Sequence, residues 1–213
     1  MNQFTTHITN PEIDKYLISL TPSNDEVLTE MERLGAERGF PIIGPLVGRL
    51  LYQLALIKGA KRVFELGSGF GYSTYWFAKA LGEGGVVYYT DTSSEYADKA
   101  REFFKRGGLL DSVIINVGDA VSALQSSEGS FDIIFNDINK ERYPEVIPKA
   151  YDKLNPGGLF ITDNVLWRGR VLSSNPSPST KGVKEFTRTL LAHDGFLTTI
   201  IPIRDGISLS IRL

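Results

Sequence analysis

Oxygen-bearing side chains follow two apolar segments in the second half of the chain. Asp137 comes shortly after the apolar run 131–135, and Asp163 and Asn164 come directly after the run 159–162. If these runs are neighbouring parallel strands, their carboxyl ends bring the three side chains to one edge of a sheet. Carboxylate and amide oxygens, with no His or Cys among them, favour a hard cation over zinc. The sequence therefore predicts a Mg²⁺ site, with Mn²⁺ or Ca²⁺ as alternatives.

Lys140 lies three residues after Asp137, one turn away if the segment is helical. A nearby divalent cation disfavours the protonated form of an amine, so Lys140 is a candidate general base. Simpler interpretations exist for each residue taken singly. Lys140 could be a surface lysine, Asp137 could cap a helix, and Asp163 with Asn164 could belong to a turn.

A glycine-rich segment follows the first strand-like run of the chain. The run 62–66 is closed by Gly67-Ser68-Gly69-Phe70-Gly71, and a helical pattern begins at Tyr72. At that position in a parallel sheet, glycines let the backbone approach a ligand closely. Asp91 ends the second strand-like run, where an acid can hold ribose hydroxyls. Loop and acid predict a nucleoside-containing cofactor, and a tight turn without a ligand is the alternative.

The glycine spacing distinguishes between cofactors. A dinucleotide-binding loop reads Gly-x-Gly-x-x-Gly, whereas this loop reads Gly67-x-Gly69-x-Gly71 with Glu65 just before it. A carboxylate beside the loop would repel a pyrophosphate but suits a cofactor with a cationic amino-acid end. S-adenosylmethionine (SAM), which carries an ammonium, a sulfonium and a ribose, fits this pattern. Hydride transfer on NAD is correspondingly disfavoured.

Strand-like and helical patterns alternate from Gly59 onward. The strand-like runs are 62–66, 86–90, 113–117, 131–135 and 159–162, and the helical patterns are about 72–81, 94–106 and 141–154. This alternation predicts a Rossmann-like α/β fold with a mostly parallel sheet and helices on both faces. Two further strands, 196–202 and 207–211, predict a C-terminal antiparallel hairpin turning at Arg204-Asp205-Gly206.

The segment before the sheet reads as helical. Ser23-Asn24-Asp25-Glu26 has a capping-box pattern ahead of apolar residues at helical spacing, and a second helix is expected over about 45–57. We therefore expect one domain over residues 1–213, with N-terminal helices in 1–58 and a Rossmann-like core in 59–213.

Composition excludes several classes of protein. The chain of 213 residues is 42% hydrophobic and 23% charged, has no Cys and carries a formal charge of −2. There is accordingly no disulfide framework or cysteine nucleophile, and no bulk positive charge for coating nucleic acid. No apolar run is long enough to span a bilayer, and residues 1–7 lack a secretory-signal pattern. The sequence predicts a cytoplasmic protein that does not associate with membranes.

Two features near residue 170 concern the rim of the predicted site. Residues 173–179 are rich in Ser and Pro and should form an exposed, mobile loop, either a plain connector or a lid. The stretch 168–184 carries Arg168, Arg170, Lys181 and Lys184 without any Asp or Glu. It is either a solvated basic loop or a rim that favours an acidic substrate.

Several of these motifs together resemble the cation-dependent O-methyltransferases, which include catechol and caffeoyl-CoA O-methyltransferases and their bacterial relatives. The segments that carry the resemblance are 63–73, Asp91, Gly118-Asp119-Ala120, 135–140 and 161–167. It covers nearly the whole chain, from about Tyr16 to Leu213. The pairing of Asp137-x-x-Lys140 with Asp163-Asn164 is its specific part, because the glycine loop is shared by most methyltransferases.

The resemblance implies a class I methyltransferase fold, commonly dimeric, and a role for each matching residue. The residues implied at the methionine end of SAM are Ile43, Glu65, Gly67, Ser68, Gly69 and Ser73. Asp91 would hold the ribose, and Asp119 and Ala120 would border the adenine. Asp137 would serve the cofactor and the metal, with Asp163 and Asn164 as the other metal ligands. Lys140 would be the general base, and the substrate contacts would be Trp167 and Arg168.

Three departures from the family pattern leave the acceptor open. Residues 41–48 lack the usual acidic-Gln ending, Asn136 replaces an aliphatic residue, and Arg168 stands where plant enzymes carry an Asn. The expected reaction is methyl transfer from SAM to an oxygen of a catechol-type vicinal diol. The alternative is methylation of 5-hydroxyuridine in tRNA, since 161–166 and 200–206 are similar to that branch. A non-catalytic nucleoside-binding module is a weaker alternative.

Overall fold

A computed structural model describes residues 8–213. Its centre is a seven-stranded sheet in the order β3-β2-β1-β4-β5-β7-β6. The strands are β1 (Arg62–Leu66), β2 (Val86–Asp91), β3 (Val113–Val117), β4 (Phe131–Asn136), β5 (Leu154–Thr162), β6 (Phe196–Ile201) and β7 (Ile207–Arg212). The first five strands pair in parallel, and β7 runs antiparallel to both β5 and β6. The predicted Rossmann-like sheet with a C-terminal antiparallel hairpin is confirmed.

Helices cover both faces of the sheet. They are α1 (Pro11–Leu20), α2 (Glu26–Arg38), α3 (Gly44–Lys58), α4 (Tyr72–Leu81), α5 (Ser94–Arg106), α6 (Ala120–Ser126), α7 (Tyr143–Lys153) and α8 (Pro178–Leu191). One apolar cluster joins α2 to α5 with one face, and a second joins α6 to α8 with the other. Because helices cover both faces of the sheet, β1 and β4 are almost entirely buried, and most of their residues are apolar.

Two predicted boundaries are wrong, for local reasons. Strand β5 begins at Leu154 rather than at residue 159, because Leu154 pairs with Phe131 and the following Pro-Gly-Gly is absorbed as a register shift. The predicted helix over 141–154 starts two residues later as α7, after a 3₁₀ turn at Lys140–Arg142. That turn gives the segment after β4 a sharp bend before the helix begins.

The Ser/Pro-rich stretch is shorter than predicted. Ser177 caps α8, so residues 178 and 179 already belong to that helix and only 173–177 form a connector. None of residues 173–179 lines the large cleft described below. This arrangement favours the connector interpretation over the lid.

No helix within residues 8–213 is long and apolar enough to cross a membrane. Residues 1–7, on which the expected lack of a secretory signal depends, lie outside the described residues.

The predicted capping box at the start of α2 is wrong, because Asp25 and not Ser23 caps the helix. The Asp25 carboxylate accepts hydrogen bonds from the amides of Val27 (3.0 Å) and Leu28 (3.1 Å). It also pairs with Lys79 of α4 at 2.5 Å. Ser23 instead accepts a hydrogen bond from the Asp25 amide. Asp25 therefore ties α2 to the rest of the domain.

We expect Asp25→Ala to lower the free energy of unfolding by about 2 kcal/mol, because it removes both a helix cap and a cross-helix ion pair. Ser23→Ala should cost about 0.5 kcal/mol, at the low end of the range for a capping residue, because it loses one local hydrogen bond. Urea unfolding of both variants measures the difference. Equal losses in the two variants would show that Asp25 is not the cap.

Candidate active site

A cleft of about 860 Å³ opens at the carboxyl ends of the parallel strands. It lies where the strand order reverses, since β2 pairs with one side of β1 and β4 with the other. In open α/β sheets this switch point is where ligands bind. The volume lies in the upper part of the range of roughly 300–1,000 Å³ for small-molecule sites.

The glycine loop between β1 and α4 forms one wall of the cleft. Gly67, Gly69 and Gly71 all have positive φ angles, of 84°, 52° and 89°. A Cβ on Gly67 would lie 2.7 Å from the Asp137 carbonyl oxygen, and one on Gly69 would lie 2.8 Å from the Phe40 ring. Both contacts are too close for any side chain. The loop therefore needs glycine for backbone conformation and for close packing.

Asp91 is held rigidly at the end of β2. One carboxylate oxygen accepts the amide of Gly69 at 2.9 Å, and the other accepts the amide of Ser93 at 2.8 Å. The side chain is only partly buried and lines the cleft. Each oxygen keeps a second lone pair for an incoming hydroxyl.

Asp119 and Ala120 lie farther along the same wall, at the start of α6. Asp119 caps the helix by accepting the Ser122 amide at 2.8 Å and forms an ion pair with Arg142. Its hydrogen bonds from Arg142 and Ser122 hold the pKa of the carboxyl well below its usual range. Asp119 is therefore a fixed negative charge at this end of the cleft.

Glu65 is the predicted site residue that does not line the cleft. It is 0% exposed, and its carboxylate accepts hydrogen bonds from the hydroxyls of Ser73 and Thr74. Ser73 does line the cleft, so its hydroxyl connects the buried Glu65 carboxylate to the cleft surface. Burial raises the pKa of Glu65 to about 7, against the hydrogen bonds that lower it.

Because its pKa is raised in the folded state, ionised Glu65 should destabilise the cofactor-free protein. The cost is complete above pH 7, on the order of 3 kcal/mol, and shrinks as the pH falls toward 4.5. Glu65→Gln should thus be more stable than the unsubstituted protein at pH 8, with little difference at pH 5. Urea unfolding at both pH values tests this, with Glu83→Gln at an exposed carboxylate as the matched control. A difference that does not change with pH would contradict the expectation.

The second wall brings together the acids that follow β4 and β5. These strands are neighbours, and Asn136 at the end of β4 pairs with Thr162 at the end of β5. Asp137, Asp163 and Asn164 therefore line the cleft together, as predicted. Asn164 adopts a left-handed conformation (φ 60°), which turns the chain back toward the site.

Backbone hydrogen bonds fix these segments to each other. The Asp137 amide donates to the Leu66 carbonyl at 2.8 Å, and the Asp163 amide donates to the Asn136 carbonyl at 3.1 Å. The hydrogen-bond pattern of the sheet thus continues past the strand ends, and it fixes the positions of Asp137 and Asp163.

Asp137 and Asp163 place two carboxylates in a largely buried part of the cleft. Asp163 is 4% exposed, and burial together with the neighbouring Asp137 raises the pKa of Asp163 to about 7. Lys140 compensates in part, because its ammonium donates to Asp137 at 2.6 Å. Among residues 8–213, no three His, Cys, Asp or Glu side chains gather as a metal cluster. The predicted set, two carboxylates and an amide, is instead an all-oxygen group that a divalent cation fits.

Lys140 lies on the 3₁₀ turn between the acids and an aromatic wall. Its ammonium lies 5.3 Å from the ring centre of Tyr143 and 5.5 Å from that of Trp167. The Lys140 side chain is only 13% exposed. The amine thus lies in the cleft beside Asp137 and is not a surface group.

Trp167 and Arg168 begin the segment that closes the cleft on this side. Both residues line it and have positive φ angles, of 47° and 52°. Asp205, from the turn between β6 and β7, accepts the Arg168 amide. The turn between β6 and β7 therefore supports this side of the cleft.

The cleft wall also contains residues that the sequence analysis missed. They are Phe40, Tyr72, Arg142, Arg204 and Asp205, among others. Only the turn Arg204-Asp205-Gly206 carried a sequence signal, and that signal was for a hairpin. The others reach the cleft through long-range packing.

The sheet order, the switch-point cleft and the glycine loop with its acid define a Rossmann-like fold that binds a nucleoside cofactor. A family model described as O-methyltransferase matches residues 19–213. A catechol O-methyltransferase from Niastella koreensis is 33% identical over 211 residues, covering 93% of this chain and 96% of that protein. Caffeoyl-CoA O-methyltransferase 1 from Eucalyptus globulus is 27% identical over 209 residues, covering 92% and 85%.

Solved structures of O-methyltransferases have the same fold as this chain. The O-methyltransferase from Bacillus cereus in complex with SAH has a TM-score of 0.86 at 29% identity, covering 95% of this chain and 97% of that one. The O-methyltransferase TomG from Streptomyces achromogenes, in complex with SAM, has a TM-score of 0.86 at 28% identity, covering 94% and 96%. The chain belongs to the O-methyltransferase family and is a SAM-dependent O-methyltransferase.

Proposed function

We propose that this enzyme methylates one oxygen of a vicinal diol on a catechol-type small molecule, in a reaction that depends on a divalent cation. The observation that carries the proposal is the convergence of Asp137, Asp163 and Asn164 beside Lys140, in the cleft that the glycine loop also lines. This set offers oxygen ligands for a hard cation and an amine for proton transfer within one cleft.

The residues at the second wall fit a divalent cation such as Mg²⁺, with Mn²⁺ or Ca²⁺ as alternatives. Asp137, Asp163 and Asn164 would hold it, and its charge would offset the two carboxylates. When bound, such a cation favours the ionised form of an acceptor oxygen and helps to orient it. The placement of Asp163 supports this assignment, because the residue is 4% exposed and lines the cleft together with Asp137.

SAM would bind along the wall of the cleft that the glycine loop forms. Its methionine end would lie against the glycine loop, with Ser73 and Ile43 flanking it. Asp91 would accept the ribose hydroxyls with its free lone pairs, and Asp119 with Ala120 would border the adenine. Glu65 would contribute through the hydroxyl of Ser73 and not by direct contact.

At the acceptor, Lys140 would take the proton of the attacking hydroxyl after losing its own. The new O–CH₃ bond forms as the sulfonium–methyl bond breaks, and the bonding electron pair stays on sulfur. Because the charges of phenolate and sulfonium cancel during transfer, alignment of donor and acceptor supplies much of the acceleration. Trp167 and Arg168 would contact the acceptor.

Labelled SAM tests the proposal when the enzyme is offered simple catechols, dihydroxycinnamoyl-CoA esters and tRNA, with Mg²⁺ or with a chelator. We expect label in catechols or the thioesters only when the cation is present. Undiminished transfer after chelation would exclude the cation role. Label in tRNA alone would favour the 5-hydroxyuridine alternative, which stays a prediction, as does a homodimer. Membership in an enzyme family argues against the non-catalytic alternative.

A further inference from the structure

Two arginines on the rim of the cleft have no ion-pair or hydrogen-bond partner for their guanidinium groups among residues 8–213. Arg168 and Arg170 both line the cleft. Neither guanidinium forms a salt bridge or donates a side-chain hydrogen bond to any of these residues. Residues 1–7 contain no Asp or Glu that could pair with them. Their charge is therefore available to a ligand.

The other basic side chains of the cleft are already engaged. Lys140 and Arg142 pair with carboxylates, and Arg204 donates to a backbone carbonyl at 2.7 Å. Arg168 and Arg170 thus differ from the other basic residues of the cleft, because only their charged groups have no hydrogen-bonded partner among residues 8–213.

The backbone that carries the pair is strained. Trp167, Arg168 and Gly169 have consecutive φ angles of 47°, 52° and 72°, a left-handed conformation that is unfavourable for residues with a side chain. The segment keeps this shape because Asp205 binds it, accepting the Arg168 amide through its carboxylate and the Leu166 amide through its carbonyl at 2.9 Å. Such enforced strain is concentrated at ligand-binding positions.

Arg170 also lies across the same aromatic ring as Lys140. The Arg170 guanidinium is 5.5 Å from the ring centre of Trp167, and the Lys140 ammonium is 5.5 Å from the same ring centre. A molecule held with its diol at Lys140 can therefore extend along Trp167 to the guanidinium. A compact aromatic acceptor has a suitable length for this.

We propose that Arg168 and Arg170 form a subsite for an oxyanion on the methyl acceptor, so that the preferred acceptor is a catechol-type diol carrying a carboxylate or a phosphate. The inference rests on the proposed function. Guanidinium groups bind carboxylate and phosphate through paired, charge-assisted hydrogen bonds. Trp167 would support the ring that joins the diol to the anion.

The structure favours a small acidic acceptor over a nucleic acid. Lys181 and Lys184, which continue the basic stretch in the sequence, lie on α8 and do not line the cleft. Two rim cations on a chain with a formal charge of −2 provide little attraction for a polyanion. They are sufficient for one carboxylate or phosphate.

Matched acceptors test the subsite. The probes are 3,4-dihydroxybenzoate, its uncharged amide and 3,4-dihydroxybenzylphosphonate, and the readout is the ratio of kcat/KM for each anion to that for the amide. We expect the enzyme to prefer an anion by about 10- to 100-fold, mainly through KM. The ratio for carboxylate against that for phosphonate tells which oxyanion fits. Arg168→Gln with Arg170→Gln should bring both ratios close to one, whereas Lys181→Gln with Lys184→Gln should leave them unchanged.

Three other results would overturn the proposed subsite, and they differ in what they imply for the proposed function. Equal turnover of anions and amide by the unsubstituted enzyme would overturn the subsite and leave the catechol function intact. Loss of the preference in the Lys181/Lys184 variant as well would show a general field effect, which also overturns it. Turnover of tRNA with no turnover of any catechol would overturn the subsite and the proposed function together. A ratio is insensitive to the fraction of folded enzyme, so poor folding of a variant does not obscure the answer.

Discussion

Replacing Asp163 with alanine is expected to lower kcat for a catechol by about 10³-fold, equivalent to about 4 kcal/mol of transition-state stabilisation. The reason is its position: Asp163 lies almost fully buried at the end of β5, beside Asp137, and we assign it as a ligand of the divalent cation. Removing one of two carboxylates weakens cation binding and leaves the acceptor oxygen without its main source of acidification. Turnover measured across a Mg²⁺ titration checks the prediction.

The control separates loss of the cation from loss of the cofactor site. Calorimetry with S-adenosylhomocysteine should give the Asp163→Ala variant an affinity within about threefold of the unsubstituted enzyme, since the donor wall is untouched. Asp152→Ala, at an exposed carboxylate on α7, should behave as the unsubstituted enzyme in both assays. If Asp163→Ala turned over catechol at the full rate in chelator, the cation assignment would be wrong.

The second large effect concerns Lys140. Lys140→Met should lower kcat by about 10²- to 10⁴-fold, the usual contribution of a positioned acid or base. Lys140→Arg should be nearly as inactive, because guanidinium keeps the positive charge next to Asp137 but does not release a proton. Rates of label transfer at saturating acceptor and Mg²⁺ compare the three enzymes.

The arginine variant distinguishes two roles of the amine. Recovery of a third or more of the activity in Lys140→Arg would mean that Lys140 acts by charge alone, as the partner of Asp137 at 2.6 Å. A role confined to charge would also predict that raising the cation concentration rescues Lys140→Met. Under the general-base role, extra cation leaves that variant inactive.

Local signals explain why much of this architecture follows from the sequence. The α4 and α5 helices begin and end where predicted, because Gly71, Gly82 and Gly107 flank uninterrupted helical patterns. The acids that follow β4 and β5 converge because these two strands are parallel neighbours in the sheet, so their carboxyl ends lie at one edge.

Long-range pairing explains what the sequence could not show. Asp25 outcompetes Ser23 as a cap partly because Lys79, more than fifty residues away, pairs with it. Glu65 looks like a direct cofactor ligand in the sequence, yet the helix after the loop covers it with Ser73 and Thr74. Such contacts depend on where helices pack, which no local pattern specifies.

The hydrogen bonds that join Leu66 to Asp137 and Asn136 to Asp163 have a consequence for how such enzymes diversify. They tie Asp137 and Asp163 to the ends of the strands, so the positions of both residues follow from the spacing between strands, about 4.8 Å per step. Changes in the surrounding loops should therefore leave these positions unaltered. Under the proposed function, acceptor choice would instead depend on the 167–172 segment and on the 202–206 turn, whose Asp205 accepts the Leu166 and Arg168 amides. Substitutions in these two segments could then change the acceptor during evolution, while the strand ends keep the methyl donor and the attacking oxygen aligned.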